Sequence, residues 1–217
     1  MALVFETDFR NGSFLEKISG IQATNYGGYF KQTPYGLGFY SERNTYCTFP
    51  VSHLNLTSTN NVYYLVSFWT NTYNRVAGEG GHLINFNNYQ ARIYLTLTYI
   101  GILITGAGGS SVSAFSGSFM NKFFMIYVQI EKKDTNSVYK YTVNNVSITG
   151  TVTGYSFTAP FNTVYLGRWD VTGYGYVGNI YDFKIFDKPI TNKQYLSYYK
   201  HSLSESVSNN KQIYYPW

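Results

Sequence analysis

Residues 62–69 read Val62-Tyr-Tyr-Leu-Val-Ser-Phe-Trp69, and every second side chain of this stretch falls on the same side of an extended backbone. The stretches Phe123 to Glu131, Ile93 to Thr98 and Val138 to Val143 alternate in the same way. A period of two is typical of β-strands. Gly, Asn and Ser separate these stretches, and many short strands joined by polar turns predict an all-β sandwich.

Two local features refine this prediction. Asn144-Asn145, between two β-rich stretches, predicts a tight hairpin because Asn tolerates positive φ. In the last strand, strict alternation predicts two opposite faces. One face would carry Ile180, Asp182, Lys184 and Phe186, and the other Tyr181, Phe183, Ile185 and Asp187.

The composition excludes several classes of protein. Of the 217 residues, 44% are hydrophobic, 20% are aromatic and only 12% are charged, which excludes a disordered chain. The net charge of +5 is spread along the sequence, so we expect no nucleic-acid partner. No apolar stretch approaches the roughly 20 residues that span a bilayer, and the first residues do not resemble a signal peptide. Cys47 is the only cysteine, which excludes an internal disulfide framework.

One helix is predicted near the C-terminus. Thr191-Asn-Lys-Gln194 fits a capping box, and Ile190 and Tyr195 fit the accompanying hydrophobic staple, so we expect a short helix over about 191–200. We therefore divide the chain into a sandwich domain, 1–201, and a polar linker with an aromatic arm, 202–217. The arm either folds back on its own domain, docks on a neighbouring subunit or is disordered. Its candidate docking residues are Ile213, Tyr214, Tyr215 and Trp217.

Several segments together resemble the concanavalin A-like lectin/glucanase superfamily, and within it the laminin-G-like domains. They are Leu3 to Ser13, Tyr35 to Phe39, Tyr64 to Trp69, Tyr139 to Asn144, Tyr165 to Arg168 and Gly178 to Thr191. The resemblance covers about residues 3–200, although Asn145 stands where the family usually has Gly. It implies a jelly-roll sandwich of two antiparallel sheets, in which the first and last strands are neighbours.

Glycanases of that superfamily carry two closely spaced carboxylates on one strand. Here Glu6 and Asp8 have a suitable spacing, but their position at the end of the first strand predicts a solvated pair. The three histidines lie far apart in the sequence and in no metal or protease motif, which predicts surface or interface residues: His53, His82 and His201. We therefore expect no enzymatic activity.

Two loops contain the candidate ligand-binding residues. Aromatic rings stack on sugars, and Asn side chains hydrogen-bond their hydroxyls. The candidate glycan-binding residues are Trp169, Tyr174 and Tyr176 in one loop, and Asn71 and Tyr73 in the other. With so many aromatic residues, some must fall in loops by chance. Asp170 is a candidate calcium ligand, as in laminin-G-like modules, or it caps a turn; otherwise we expect no cofactor.

Two functions from different classes fit the sequence. The first is a structural module of a virion or cell-surface assembly, whose partners are sister subunits or other structural proteins. Charge-poor, Tyr-rich surfaces suit such contacts. The second is a free-standing carbohydrate-binding module that recognises cell-surface glycans. The two are compatible, because an assembly protein can also bind sugars.

Overall fold

The computed structural model describes residues 2–56, 61–70, 81–86, 91–96, 99–104, 110–116, 122–133, 136–144, 146–152, 161–168 and 175–208. These residues form fifteen β-strands and one α-helix. The strands are β1 (Leu3–Asp8), β2 (Thr24–Tyr26), β3 (Tyr29–Thr33), β4 (Gly36–Ser41), β5 (Tyr46–Pro50), β6 (Val62–Thr70), β7 (Gly81–Phe86), β8 (Ala91–Leu95), β9 (Tyr99–Ile104), β10 (Ser110–Ser116), β11 (Phe123–Lys133), β12 (Asn136–Val143), β13 (Val146–Val152), β14 (Thr163–Leu166) and β15 (Gly178–Phe186). The helix, α1, is Asn192–Ser208, and 3-10 turns lie at Phe9–Asn11 and Ser52–Leu54.

The strands form two antiparallel sheets. The eight-stranded sheet has the order β13-β12-β11-β6-β15-β4-β3, and β1 also pairs with β15. The seven-stranded sheet has the order β10-β9-β8-β7-β14-β5-β2. This architecture confirms the predicted all-β, two-sheet antiparallel sandwich with one C-terminal helix. The first strand is a neighbour of the last, as the resemblance implies.

The main core lies between the sheets, and the alternation predicted for β6 and β11 is confirmed. Its members from these two strands are Val62, Tyr64, Val66, Phe68, Phe124, Ile126, Val128 and Ile130. The alternate residues Tyr63, Leu65, Met125 and Tyr127 face the other way, into a second apolar cluster on the outer side of the eight-stranded sheet. We call this second cluster the outer cluster. Both faces of these central strands are therefore buried.

The prediction for β15 is wrong at two residues, Ile180 and Tyr181. The pairing of β15 with β6 shifts register between Ile180 and Asp182, which marks a β-bulge. Ile180 and Phe183 therefore both enter the main core, while Tyr181 belongs to the outer cluster. Ile180 does not share a face with Asp182, and Tyr181 does not share one with Phe183. An inserted residue exchanges the faces of the strand from that point onward, and simple alternation cannot anticipate it.

The tight hairpin at Asn144 is confirmed. Val143 of β12 pairs with Val146 of β13, and Asn144 between them has a φ of 52°. Asn145 lies outside the described residues. The Asn144 side-chain oxygen accepts a hydrogen bond from the Met125 amide at 3.0 Å, so the turn is also attached to β11.

The N-terminus of α1 forms as predicted. The Gln194 amide donates to the Thr191 hydroxyl oxygen at 3.3 Å, and the Gln194 side-chain oxygen accepts from the Thr191 amide at 2.8 Å. Ile190 and Tyr195 are both buried in the outer cluster. The capping box and the hydrophobic staple are thus confirmed, and they fix the helix against the eight-stranded sheet.

The helix continues to Ser208, so the prediction that it ends near residue 200 and that a polar linker begins at Ser202 is wrong for residues 202–208. Ser202 is buried, and its hydroxyl donates to the Asp182 carboxylate at 3.0 Å. This tertiary contact fixes Ser202 within the helix, at a position that the composition assigns to the linker. Among the described residues, no helix combines the length and the apolar character that crossing a bilayer requires.

A buried polar network connects the helix to the sandwich. The Asp182 carboxylate accepts hydrogen bonds from Arg10 at 2.5 Å and from Ser67 at 2.6 Å, besides the one from Ser202. Arg10 also donates to the Ser202 hydroxyl at 2.8 Å. We call Arg10, Ser67, Asp182 and Ser202 the Asp182 network. Burial alone would raise the pKa of Asp182, but the charges of Arg10 and Lys184 and these hydrogen bonds lower it to about 2.

Candidate binding surface

Most of the predicted ligand-binding residues lie outside the described residues. They are Asn71, Tyr73, Trp169, Asp170 and Tyr174, together with the predicted docking residues Ile213, Tyr214, Tyr215 and Trp217. Tyr176 is described and is fully buried, with its ring edge-on to Phe68 at 6.0 Å. Its hydroxyl donates to the Trp69 carbonyl oxygen at 2.6 Å. A ring enclosed in the core cannot stack on a sugar, so the prediction for Tyr176 is wrong.

The structure brings the ends of the two predicted loops together. Thr70, where β6 ends before the first loop, pairs with Gly178, where β15 begins shortly after the second loop. Gly175, at the end of the second loop, forms a bridge with His82, which follows the first loop. The segments that flank both loops therefore lie at the same end of the sandwich.

A group of tyrosines crosses the outer face of the seven-stranded sheet. Tyr26 on β2 lies opposite Tyr46 on β5, and their rings stack with centroids 4.3 Å apart and planes 9° apart. Tyr165 on β14 lies 6.2 Å from the Tyr46 ring, and the Arg168 guanidinium lies 4.5 Å from the same ring. Tyr26 is 46% exposed, and the other three are half-buried. We call Tyr26, Tyr46, Tyr165 and Arg168 the tyrosine platform.

Polar side chains follow the platform onto the neighbouring strands. Tyr165 pairs with Asn85 on β7, and Asn85 pairs with Arg92 on β8. Asn85, Arg92 and His82 are all buried, although they lie on the face away from the main core. We call these three residues the polar row. None of the described side chains in the platform or the polar row is a carboxylate.

Burial, with a further contribution from the positive charge of Arg92, lowers the pKa of His82 to about 3. His82 is therefore neutral near pH 7, with one ring nitrogen that donates and one that accepts. The prediction that His82 is a surface or interface residue is wrong, because its side chain is buried within this chain. His53 and His201 are exposed, as predicted.

The arrangement is suited to binding rather than to acid–base chemistry. The platform offers flat, partly exposed apolar rings, while the side chains of the polar row are buried beside them. The carboxylates with glycanase-like spacing are elsewhere: Glu6 pairs with Lys184 at 2.5 Å and Asp8 with Lys17 at 2.7 Å. Both carboxylates are partly buried, so the prediction of a solvated pair is wrong. Within the described part of the chain, no three His, Cys, Asp or Glu residues are arranged to hold a metal ion.

Sequence reasoning missed the platform and the polar row. One part of the sequence indicates the polar row: Arg92 and Tyr94 alternate with Ala91, Ile93 and Leu95, which predicts a polar face on that strand. The strands beside that face could not be predicted, because β5, β7 and β14 come from three distant parts of the chain. Only the order of strands in the sheet places Tyr46, Tyr165 and Asn85 side by side.

The sequence matches no model of a known protein family, and no curated protein matches it either. Solved structures do share the fold. The binding domain of botulinum neurotoxin serotype D superposes with a TM-score of 0.73 at 12% identity, over 92% of this chain and 52% of that one. The serotype G binding domain gives a TM-score of 0.70 at 14% identity, over 92% and 51%.

Domain 4 of AbnA, a GH43 extracellular arabinanase from Geobacillus stearothermophilus, was solved in complex with arabinotriose. It gives a TM-score of 0.63 at 13% identity, over 95% of this chain and 97% of that one. The chain thus spans about half the length of the neurotoxin binding domains. At these identities the likeness shows a common sandwich fold, while the resemblance to the concanavalin A-like superfamily stays a prediction.

Proposed function

We propose that this chain is a non-catalytic binding module that recognises carbohydrate on the outer face of its seven-stranded sheet. The observation that carries the proposal is the stacked, accessible pair of Tyr26 and Tyr46, with Arg168 against the Tyr46 ring. A cell-surface glycan is the natural ligand in this proposal. Its predicted place in the concanavalin A-like superfamily agrees with a lectin-like role.

The chemistry of sugars explains why such a surface suits them. A pyranose or furanose ring presents C–H groups on its faces and hydroxyl groups around its rim. Tyrosine rings contact the C–H groups, and tyrosine hydroxyls, Asn and Arg bind the hydroxyl groups. Because Tyr26 and Tyr46 already stack on each other, little side-chain entropy is lost when a ligand binds.

The comparisons support a binding role by analogy. One domain of this fold was solved in complex with arabinotriose, and others are described as neurotoxin binding domains. A non-catalytic role is also supported by Glu6 and Asp8, which are engaged in ion pairs with Lys184 and Lys17. The predicted loop residues Trp169 and Tyr174 and the calcium ligand Asp170 remain candidates.

A glycan array probed with the full chain, followed by titration calorimetry on the best ligand, tests the proposal. We expect Tyr46→Ala to weaken binding by about two- to tenfold, because it removes a stacking surface worth about 0.5–1.5 kcal/mol. Tyr29→Ala is the matched control, since Tyr29 is 47% exposed on β3 of the other sheet. Absence of any glycan ligand, or equal affinities for the two variants, would refute a site on this face.

Assembly with sister subunits is a second candidate function, with a virion or cell-surface location. One structural observation favours self-association: two neighbouring edge strands, β10 and β13, contain no charged residue. The aromatic arm, as predicted from the sequence, is another route to assembly. Removing residues 209–217 tests the arm: a smaller particle than the full chain gives, measured by light scattering, would assign the assembly to the arm.

A further inference from the structure

One flank of the sandwich lacks most of the features that usually protect sheet edges. β13 is the outermost strand of the eight-stranded sheet, and it contacts β10, the outermost strand of the seven-stranded sheet. Residues 146–152 read Val-Ser-Ile-Thr-Gly-Thr-Val, with no charge and no proline. Natural edge strands are commonly protected by Lys, Pro, a bulge or short length. β10 has a register shift near Ser113, whereas the pairing of β13 with β12 is regular over seven residues.

The opposite flank is protected. Its edge strands are β2, which has only three residues, and β3, which contains Lys31 and is followed at once by Pro34. A short strand and a charged strand each disfavour pairing with another chain. The contrast singles out β13 as the regular, uncharged edge of the described structure.

The hydrogen-bond pattern of the hairpin identifies the groups that β13 presents outward. Val143 and Val146 close a two-residue turn, so the backbone N–H and C=O groups of these two residues bond each other. Along the rest of the ladder, hydrogen-bonded and non-hydrogen-bonded residue pairs then alternate. The N–H and C=O groups of Ser147, Thr149 and Thr151 consequently point away from β12. Within the described residues, no strand pairs with this edge. The side chains of Ser147 and Thr149 are exposed.

We propose that β13 is a self-association edge, through which two copies of this chain pair antiparallel and join their eight-stranded sheets. The occupant is a second copy because an antiparallel strand pair has two-fold symmetry, so one uncharged strand is complementary to itself. Centring the axis near Thr149 pairs Ser147 of one copy with Thr151 of the other. Every outward donor and acceptor of these residues is then satisfied.

Side chains next to the edge add contact area. Val146 is 46% exposed, and a cavity of about 310 Å³ between the β12–β13 hairpin and α1 is lined in part by Ser147 and Leu196. Leu196 itself is 39% exposed. Burying such apolar surface against a partner favours the pair. The tyrosine platform lies on the other sheet and stays accessible in the pair, which makes the dimer bivalent.

Sedimentation velocity of the full chain over a concentration series tests the proposal. We expect wild type to reach twice the mass of the chain, and Thr149→Pro to remain a monomer at every concentration. Proline removes an outward N–H of β13 but no hydrogen bond to β12, so the fold should persist. Gln32→Pro is the matched control, because Gln32 is exposed and outward-facing on the opposite edge, and it should dimerise like wild type.

Thr149→Lys provides a second variant in case the proline variant fails to fold. It keeps the backbone donor and places a charge on the edge, which disfavours pairing. A wild-type chain that stays monomeric throughout, or a folded Thr149→Lys chain that still dimerises, would overturn the proposal. The carbohydrate site is tested separately, because a monomeric variant should keep the affinity of each single site and lose only the gain from bivalency.

Discussion

The two outer faces of the sandwich both carry buried polar side chains, but they satisfy them differently. On the eight-stranded sheet, α1 covers the face, and Asp182 is bonded to Arg10, Ser67 and Ser202. The outer face of the seven-stranded sheet is covered by no α-helix of the described residues. There the tyrosine platform remains partly exposed beside the polar row.

This difference separates a structural role from a binding role. Polar groups that saturate one another fix the position of an element and leave little capacity for a ligand. The oxygen of the Asn85 side chain, on the seven-stranded sheet, is buried and has no hydrogen-bond partner among the described residues. The rings of Tyr26 and Tyr46, which remain partly exposed, are the part of this face that a ligand can reach.

The largest expected effect on stability is on the outer face of the eight-stranded sheet, which α1 covers. Asp182→Ala leaves the Arg10 guanidinium buried without its counter-charge, so we expect a loss of about 3–5 kcal/mol in the free energy of unfolding. Urea denaturation at neutral pH measures it. Asp187→Ala, at an exposed position just beyond the same strand, should cost less than about 1 kcal/mol. Similar costs for the two variants would contradict a structural role for the Asp182 network.

Lowering the pH should reduce the stability that the Asp182 network contributes. The pKa of Asp182 is about 2 in the folded chain, below the value of about 3.9 for an unperturbed Asp. A depressed folded pKa gives stability that is present above pH ~4 and is lost as the pH falls towards 2. The stability difference between wild type and Asp182→Ala should therefore narrow across that range. Urea midpoints recorded from pH 6 downward follow it, and a constant difference would contradict the assignment.

The smallest expected effect on stability is on the outer face of the seven-stranded sheet, which carries the tyrosine platform. Tyr26→Ala removes a cross-strand aromatic pair at the sheet edge, and such pairs contribute about 0.2–1 kcal/mol. Glycan affinity, however, should fall several-fold, because the accessible half of the stacked pair is lost. Urea denaturation and calorimetry on the same variant separate the two effects. A large loss of stability without a change in affinity would make the platform structural and remove the contrast between the faces.

Much of the fold was predictable, because alternation along one strand is a local property. The faces of β6 and β11, the hairpin at Asn144 and the capping box at Thr191 were all read from neighbouring residues, and all are confirmed. The bulge in β15 was not predictable. It depends on how β15 pairs with β6, and Tyr181 has the same local sequence whichever face it takes.

The candidate site was much less predictable than the fold. Aromatic residues near glycines drew attention to Tyr176, which packs inside the core, while Tyr26 and Tyr46 gave no local signal. The length of α1 was underestimated for a related reason. Residues 202–208 have the composition of a linker, and the contact of Ser202 with Asp182 helps to explain why they are helical.

The sequence by itself determined that this chain forms strands, which side of most strands is apolar, where its helix begins, and that a sandwich results. These follow from the periods and capping preferences of neighbouring residues. Only the tertiary structure decided the order of strands in the sheets, the partners of Asp182, the stacking of Tyr26 on Tyr46 and the exposure of the β13 edge. Those depend on residues far apart in the chain, which meet only when backbone pairing and burial of the two inner faces are satisfied together.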